Sequence, residues 1–217
     1  MRVIGLDPSL TNFGWALHES SASGSDRCLE RGRFQTSPRE CFITRYLKMR
    51  ENVEGLVTSR GILRIGLESP IFNDLWSEGM YGLFLYTCEA LRNSKADVVL
   101  FSPGQTKAQA REVLGRPPGW IMSKFDMVEA AKEDAGGSKW NHNEADAYWV
   151  ARTAARFWEL YDRTLGLKDL TVLEKKQFTG IHTYKRGKKA GKVEVKGALY
   201  REDDRFFMWS ENKTGRS

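Results

Sequence analysis

The chain opens with a short apolar run, Arg2 to Asp7 (RVIGLD), then a polar turn over Pro8 to Asn12, then Phe13 to His18, where apolar and polar positions alternate. Alternation with a period of two marks a strand, and the short turn predicts a hairpin. A Ser, Gly and Asp cluster from Glu19 to Asp26 predicts a loop, and Cys28 to Phe34 a third antiparallel strand. After Ser37 and Pro38, a helix-start signal, Ile43, Leu47, Val53 and Leu56 recur on one face, predicting a helix to about Thr58 closed off by Gly61. Ile62 to Glu68 (ILRIGLE) predicts a fourth strand, which a right-handed crossover sets parallel to the first. A helix over Leu75–Asn93, a strand over Asp97–Ser102 and helices near 106–114, 122–135 and 142–163 complete the pattern, with Gly115 to Gly119 (GRPPG) as a firm break. The expected fold is therefore α/β, with three antiparallel strands followed by parallel strands and helices on both faces of a mixed sheet.

The 217 residues, 41% of them hydrophobic and seven of them Trp, suffice for one compact domain and an appendage. Charge divides the chain. Residues 1–165 carry 21 Lys and Arg against 21 Asp and Glu, whereas residues 166–217 carry 13 against 7. The division predicts a neutral body over 1–165 and a basic C-terminal extension over 166–217. In the extension short strands flank a KRGKKAG turn, and aromatics are interleaved with cations. A phosphate-binding hairpin, with Lys185, Arg186, Lys188 and Lys189 at its turn, competes with a merely solubilising surface or a contact to a partner subunit. Cys28, Cys41 and Cys88 form neither a paired framework nor a Cys-x-x-Cys motif, and His18, His142 and His182 match no zinc spacing. No run is long enough to cross a bilayer, so a cytoplasmic location in a reducing compartment is expected.

Three carboxylates remain to be explained. Asp7 and Glu68 end apolar strands, and Asp146 lies inside the last helix of the body. Singly, each reads as a solvated strand end or helix residue. Together, the ends of neighbouring strands place two carboxylates within reach of one ion, and like charges that close repel unless a cation lies between them. Oxygen donors of this kind suit Mg²⁺ or Mn²⁺, and two such ions support in-line displacement at phosphorus. On the helix His142 and Asn143 flank Asp146 one turn earlier, while Glu144 points elsewhere and reads as solvated.

The segments IGLDPSLTNFGWAL, IGLESPIF and HNEADAYWVA, in that order and spacing, resemble the RuvC family of Holliday junction resolvases across roughly residues 1–160. The resemblance implies a ribonuclease H-like core and Mg²⁺ or Mn²⁺, two ions per site. It also implies hydrolysis of branched DNA by symmetrical nicks without a covalent intermediate. Asp7, Glu68 and Asp146 fall on the family's acidic metal-binding positions. At the fourth position this chain has Asn143 where the family has Asp or His; either its amide oxygen or the neighbouring His142 is the expected ligand. Lys107 and Lys124 fall where the family keeps lysines on the DNA phosphates, and Ile71 or Phe72 where an aromatic enters the junction. The family acts as a homodimer, and the apolar excess of the 75–93 helix is the candidate interface, unless other elements of one subunit cover it. Divergence outside the motifs and the basic extension point to a bacteriophage source. Two rivals stand beside the nuclease: a branched-DNA-binding protein that has lost catalysis, with Asn143 as its sign, and an actin-like or sugar-kinase ATP-binding protein. A second Gly-rich phosphate loop, which the latter needs, is missing from the sequence.

Overall fold

The computed structural model describes residues 1–20, 26–69, 78–137, 139–162, 164–179, 181–183, 187, 193–195, 198–202 and 206–210. Strands β1 (Arg2–Asp7), β2 (Asn12–Glu19) and β3 (Arg27–Gln35) form an antiparallel meander, with β1 paired to β2 and β2 to β3. Helix α1 (Phe42–Arg60) crosses over to β4 (Arg64–Glu68), which pairs parallel to β1. Helix α2 (Glu78–Asn93) leads to β5 (Asp97–Phe101), parallel to β4. Then come α3 (Pro103–Val113), α4 (Lys124–Ala135) and α5 (His142–Tyr161). The strand order β3-β2-β1-β4-β5 matches the mixed sheet expected from the pattern.

Helix boundaries differ where side chains capture the backbone. The segment after Pro38 is a turn and not the first turn of α1: Glu40 N–H donates to the Ser37 carbonyl, and the Glu40 carboxylate accepts from Ser37 N–H in return. At α3 the reverse holds. Ser102 N–H donates to the Gln105 side chain at 2.8 Å and Pro103 occupies the first turn, so the helix starts three residues early. Gly61 ends α1 at φ 61°, a left-handed conformation that glycine adopts without the strain a Cβ adds.

The sheet buries different chemistry on its two faces. Ile4 and Leu6 of β1, Phe13 and Leu17 of β2, and Ile65 and Leu67 of β4 meet Met49, Val53 and Val57 of α1 and Leu83 and Leu91 of α2. The other face carries α5. Because side chains alternate along a strand, Gly5 shares that face with Asp7, Gly66 with Glu68, and Gly14 with Ala16 and His18. A Cβ on Gly5 would stand 2.2 Å from the Ala147 carbonyl oxygen, one on Gly14 2.1 Å from that of Asn143, and one on Gly66 2.6 Å from the Ala154 Cβ. Helix α5 answers with Ala145, Ala147, Ala151, Ala154 and Ala155, all buried. Backbone thus lies almost on backbone, and the register of the helix is set against three strands at once.

The aromatic excess of α2 is largely covered within the chain. The Tyr46 and Tyr86 rings stack at 5.3 Å, and a Cβ on Gly82 would meet the Tyr46 ring at 2.7 Å. Tyr81 and Leu85, one turn apart, stay exposed.

Beyond Gly166 the chain first docks on the body. A short 3₁₀ turn (Leu167–Asp169) precedes α6 (Val172–Thr179), an element the pattern did not predict. Leu170 and Phe178 pack with Phe101, Phe157 and Trp158. Gln109 donates to Gln177 at 2.7 Å, and Arg156 pairs with Glu174 at 2.8 Å. Then β6 (Ile181–Thr183) pairs antiparallel with β7 (Val193–Val195), while β8 (Ala198–Glu202) pairs with β9 (Phe206–Ser210), which extends the main sheet beside β5. Lys185, Arg186, Lys188 and Lys189 lie outside the described residues.

If the glycine contacts set the register of α5, Gly14→Ala destabilises by about 3 kcal/mol, the upper end of overpacking, because backbone is the obstacle. Gly55 lies mid-helix with open space around its missing Cβ, so Gly55→Ala stabilises by about 0.5–1 kcal/mol. Urea denaturation midpoints of both variants check the contrast.

Candidate active site

The β1–β4 register sets Leu6 beside Leu67, so the next rung brings Asp7 level with Glu68 at the carboxyl ends of two parallel strands. Asp146, near the amino end of α5, is held over them by the glycine contacts at Asn143, one turn earlier, and at the adjoining Ala147. The three groups feel one another. Burial, then the Glu68 and Asp146 charges, push the Asp7 carboxyl well above the usual range. Burial and Asp146 push Glu68 up to about 8, and burial pushes Asp146 up to about 6. Three separate segments therefore converge on one patch of negative charge.

Cations oppose that charge from two helices. Lys107, in the first turns of α3, acts on Asp7, Glu68 and Asp146, and Lys124, the first residue of α4, acts on Asp7 and Asp146. Both are exposed. Asn143 is buried at the amino end of α5, where its backbone carbonyl meets Gly14 and its N–H donates to Asn141 at 2.9 Å. His142 sits at the rim, where partial burial and the positive charges of Lys124 and Arg33 lower its pKa and keep the ring neutral. Ile71 and Phe72 lie outside the described residues.

Glu144 is not a merely solvated residue. Its carboxylate accepts from Asn141 N–H at the helix cap and from Arg31 of β3, and the Arg31 guanidinium lies 3.9 Å from the centre of the Trp140 ring. This clamp ties the amino end of α5 to the outer strand. Two further features escaped the sequence reading. Thr106, almost fully buried, donates its hydroxyl to the Pro103 carbonyl at 3.1 Å and lies beside Glu68, where it helps hold the charged form; the only sign in the sequence is its place next to Lys107. Beside the cleft, Arg33, Lys132, Lys139, Trp140, Asn141 and Glu144 line an open depression of about 480 Å³, a basic surface assembled from segments a hundred residues apart.

Compared with known proteins, the sequence matches no family model and no curated protein. Several solved structures resemble it in fold, two of them RuvC proteins. One is Thermus thermophilus RuvC in complex with Holliday junction substrate, and the other is Thermus thermophilus RuvC by itself. Both superpose with a TM-score of 0.61 at 18% identity over 74% of this chain, and they are covered to 96% and 97% of their own length. The chain has the ribonuclease H-like fold of RuvC.

Within this RuvC-like fold the donor set suits a hard divalent cation. One oxygen of Asp146, Oδ1, is buried with no hydrogen-bond partner, which costs free energy unless a cation meets it. Asp7 and Glu68 supply carboxylate oxygens beside it. Among the described residues no three His, Cys, Asp or Glu side chains stand close enough together to hold a metal ion by themselves, so waters and substrate oxygens would have to complete any shell. An open set is what Mg²⁺ needs, since it keeps several waters and takes only one or two carboxylates along with substrate oxygens.

The raised carboxyl pKa values make the metal-free fold pH-sensitive in a definite sense. The folded chain binds more protons than the unfolded one between the ordinary carboxyl range and the raised values. These groups therefore detract from stability progressively as pH rises from about 4 through 6 for Asp146 and through 8 for Glu68. Without divalent ions, Glu68→Gln should melt above the wild type at pH 8 and close to it at pH 4.5. Mg²⁺ or Mn²⁺ should raise the melting temperature of the wild type at pH 8 by more than that of Glu68→Gln, as differential scanning fluorimetry will read.

Proposed function

We propose that the chain is a structure-specific DNA endonuclease that resolves Holliday junctions and other branched DNA by metal-dependent phosphodiester hydrolysis. The observation that carries this reading is the convergence of Asp7, Glu68 and Asp146, all raised by burial and the first two also by their acidic neighbours, beneath two exposed lysines on separate helices. Negative charge at the floor and positive charge at the rim is the arrangement a phosphodiester requires, with cations below the phosphate and ammonium groups beside it. Likeness in fold to a RuvC caught on a Holliday junction adds support for branched DNA as the substrate.

In this reading Lys107 and Lys124 hold the non-bridging oxygens and the flanking phosphate, and Thr106 orients the Glu68 carboxylate. Asp7, Glu68 and Asp146 would hold two Mg²⁺ or Mn²⁺ ions, and Asn143 or His142 is the remaining candidate ligand at the rim. Bound there, the ions would offset charge on the attacking and departing oxygens of an in-line displacement. Hydrolysis leaves 5′ phosphates, by symmetrical nicks, when two copies face one junction. A homodimer supplies that symmetry, with Tyr81 and Leu85 of α2 as the exposed face available for it.

The second reading is a branched-DNA-binding protein without catalysis. It is favoured by the uncharged Asn143, whose backbone is pinned against Gly14. Labelled four-way junction, fork, duplex and single-stranded DNA, each incubated with and without Mg²⁺ or Mn²⁺, separate the two. A nuclease nicks the junction only with metal, and a pure binder shifts it in a gel and leaves it whole under every condition. Asp7→Asn, Glu68→Gln and Asp146→Asn should each lower cleavage by at least ~1,000-fold, the scale of lost electrostatic stabilisation at a transition state, while junction binding persists.

The basic extension adds DNA contacts in this proposal. Since Leu170 and Phe178 are part of the core and β9 pairs with β5 in the main sheet, the test keeps the extension and replaces Lys185, Arg186, Lys188 and Lys189 by Ser. That variant should show a flatter salt dependence of junction binding in a mobility-shift titration; an unchanged slope assigns the extension to another task.

A further inference from the structure

The turn before α4 presents three large apolar side chains to solvent. Trp120, Ile121 and Phe125 are 45%, 89% and 71% exposed, side by side with Lys124. Exposed apolar groups scattered singly are ordinary, but three within six residues form a patch that invites a partner. The patch is also braced. Trp120 N–H donates to the Pro117 carbonyl at 3.1 Å, and the Trp120 indole hydrogen-bonds Asp126. Asp126 in turn accepts from Ser123 N–H at 2.9 Å at the start of α4, and the Arg116 guanidinium lies 5.2 Å from the Trp120 ring centre. Its polar edge is satisfied within the loop, and with Arg116 over one ring face nearly half of the Trp120 surface is still open to solvent.

The surroundings decide what covers it. Lys124 reaches the carboxylate cleft, where it acts on Asp7 and Asp146, and Arg116 adds a second positive charge on the other side of the patch. Rings and aliphatic groups set between cations at the rim of a phosphate-binding cleft match the chemistry of an unstacked nucleobase, whose faces are apolar and whose backbone is anionic. A second protein copy seated on the same patch would cover Lys124 and close the mouth of the cleft, and an apolar peptide gains nothing from the flanking charges.

We propose that Trp120, Ile121 and Phe125 form a stacking platform for a base opened at the branch point, so that this loop helps the enzyme distinguish a junction from continuous duplex. The inference rests on the nuclease reading above and deepens it. It needs no covalent step: a duplex offers no free base face at the cleft, whereas a strand exchange point opens bases at little cost, and the platform holds one of them while Lys124 holds the adjoining phosphate.

A four-way junction carrying 2-aminopurine beside the branch tests this, with Ca²⁺ in place of Mg²⁺ during the binding measurement. Wild-type protein should raise the fluorescence as the base leaves its stack. The double variant Ile121→Ser/Phe125→Ser changes only exposed side chains. It should lose that rise and cut the junction on the order of tenfold more slowly, with duplex binding unchanged. Trp120→Ala should show the same direction, and Trp120→Phe should restore the rise. Equal fluorescence and equal cutting by the double variant overturn the platform while leaving the nuclease intact. So does a change from dimer to monomer in sedimentation, which makes the patch a protein interface. A wild-type protein that neither binds nor cuts any branched DNA overturns the nuclease reading and the platform with it.

Discussion

Helix α5 can lie on the sheet only because three strands offer no side chain where it touches them. Gly5, Gly14 and Gly66 stand under the backbone or Cβ atoms of Asn143, Ala147, Ala151, Val150 and Ala154, at separations that would put an added Cβ 2.1–2.6 Å from the nearest atom. Every methyl group introduced there would lift or slide the helix. The consequence for chemistry is direct. Asp7 follows Gly5 by two residues and Glu68 follows Gly66 by two, so both carboxylates emerge on the face that the helix covers, just past the point of closest approach. Asp146 lies between the contacts at Asn143 and Ala147, so the packing that sets the helix also aims its carboxylate.

Close packing creates an electrostatic problem that the rest of the site moderates. Three acidic groups partly removed from water resist ionisation, and their mutual repulsion adds to the desolvation cost. Lys107 and Lys124 offset part of it from α3 and α4, and the Thr106 hydroxyl offsets part from beside Glu68. What remains uncompensated, above all the buried Asp146 Oδ1, gives the cleft its affinity for a divalent cation in the proposed reaction. The Arg31, Glu144 and Trp140 clamp then matters beyond its own ion pair, because it fixes the amino end of α5 from the outer strand.

Much of this architecture was legible in the order of residues. Strand β1 and strand β4 read plainly, as short apolar runs that end on a carboxylate, and Gly61 marks the end of α1 by needing a left-handed backbone. Asp7 and Glu68 were legible as charges that end apolar runs, and Asp146 as the acidic residue of a motif inside the last helix. Less visible was the start of α1, where Ser37 and Glu40 exchange hydrogen bonds that a helix would have used. Helix α6 was missed because its residues pack through Phe178 and Gln177 against partners seventy residues earlier and carry little periodicity of their own.

The sequence by itself determined the elements and the identity of the acidic groups, because local periodicity, turn chemistry and the residue types of short motifs are properties of neighbours along the chain. Only the tertiary structure decided which face of the sheet receives α5, that Glu144 is a clamp and not a surface residue, that Thr106 lies beside Glu68, and that Trp120, Ile121 and Phe125 stay exposed next to Lys124. Those facts depend on contacts between segments far apart in the chain. A contact of that kind leaves a mark in the sequence only when it demands an unusual residue, as the three glycines do.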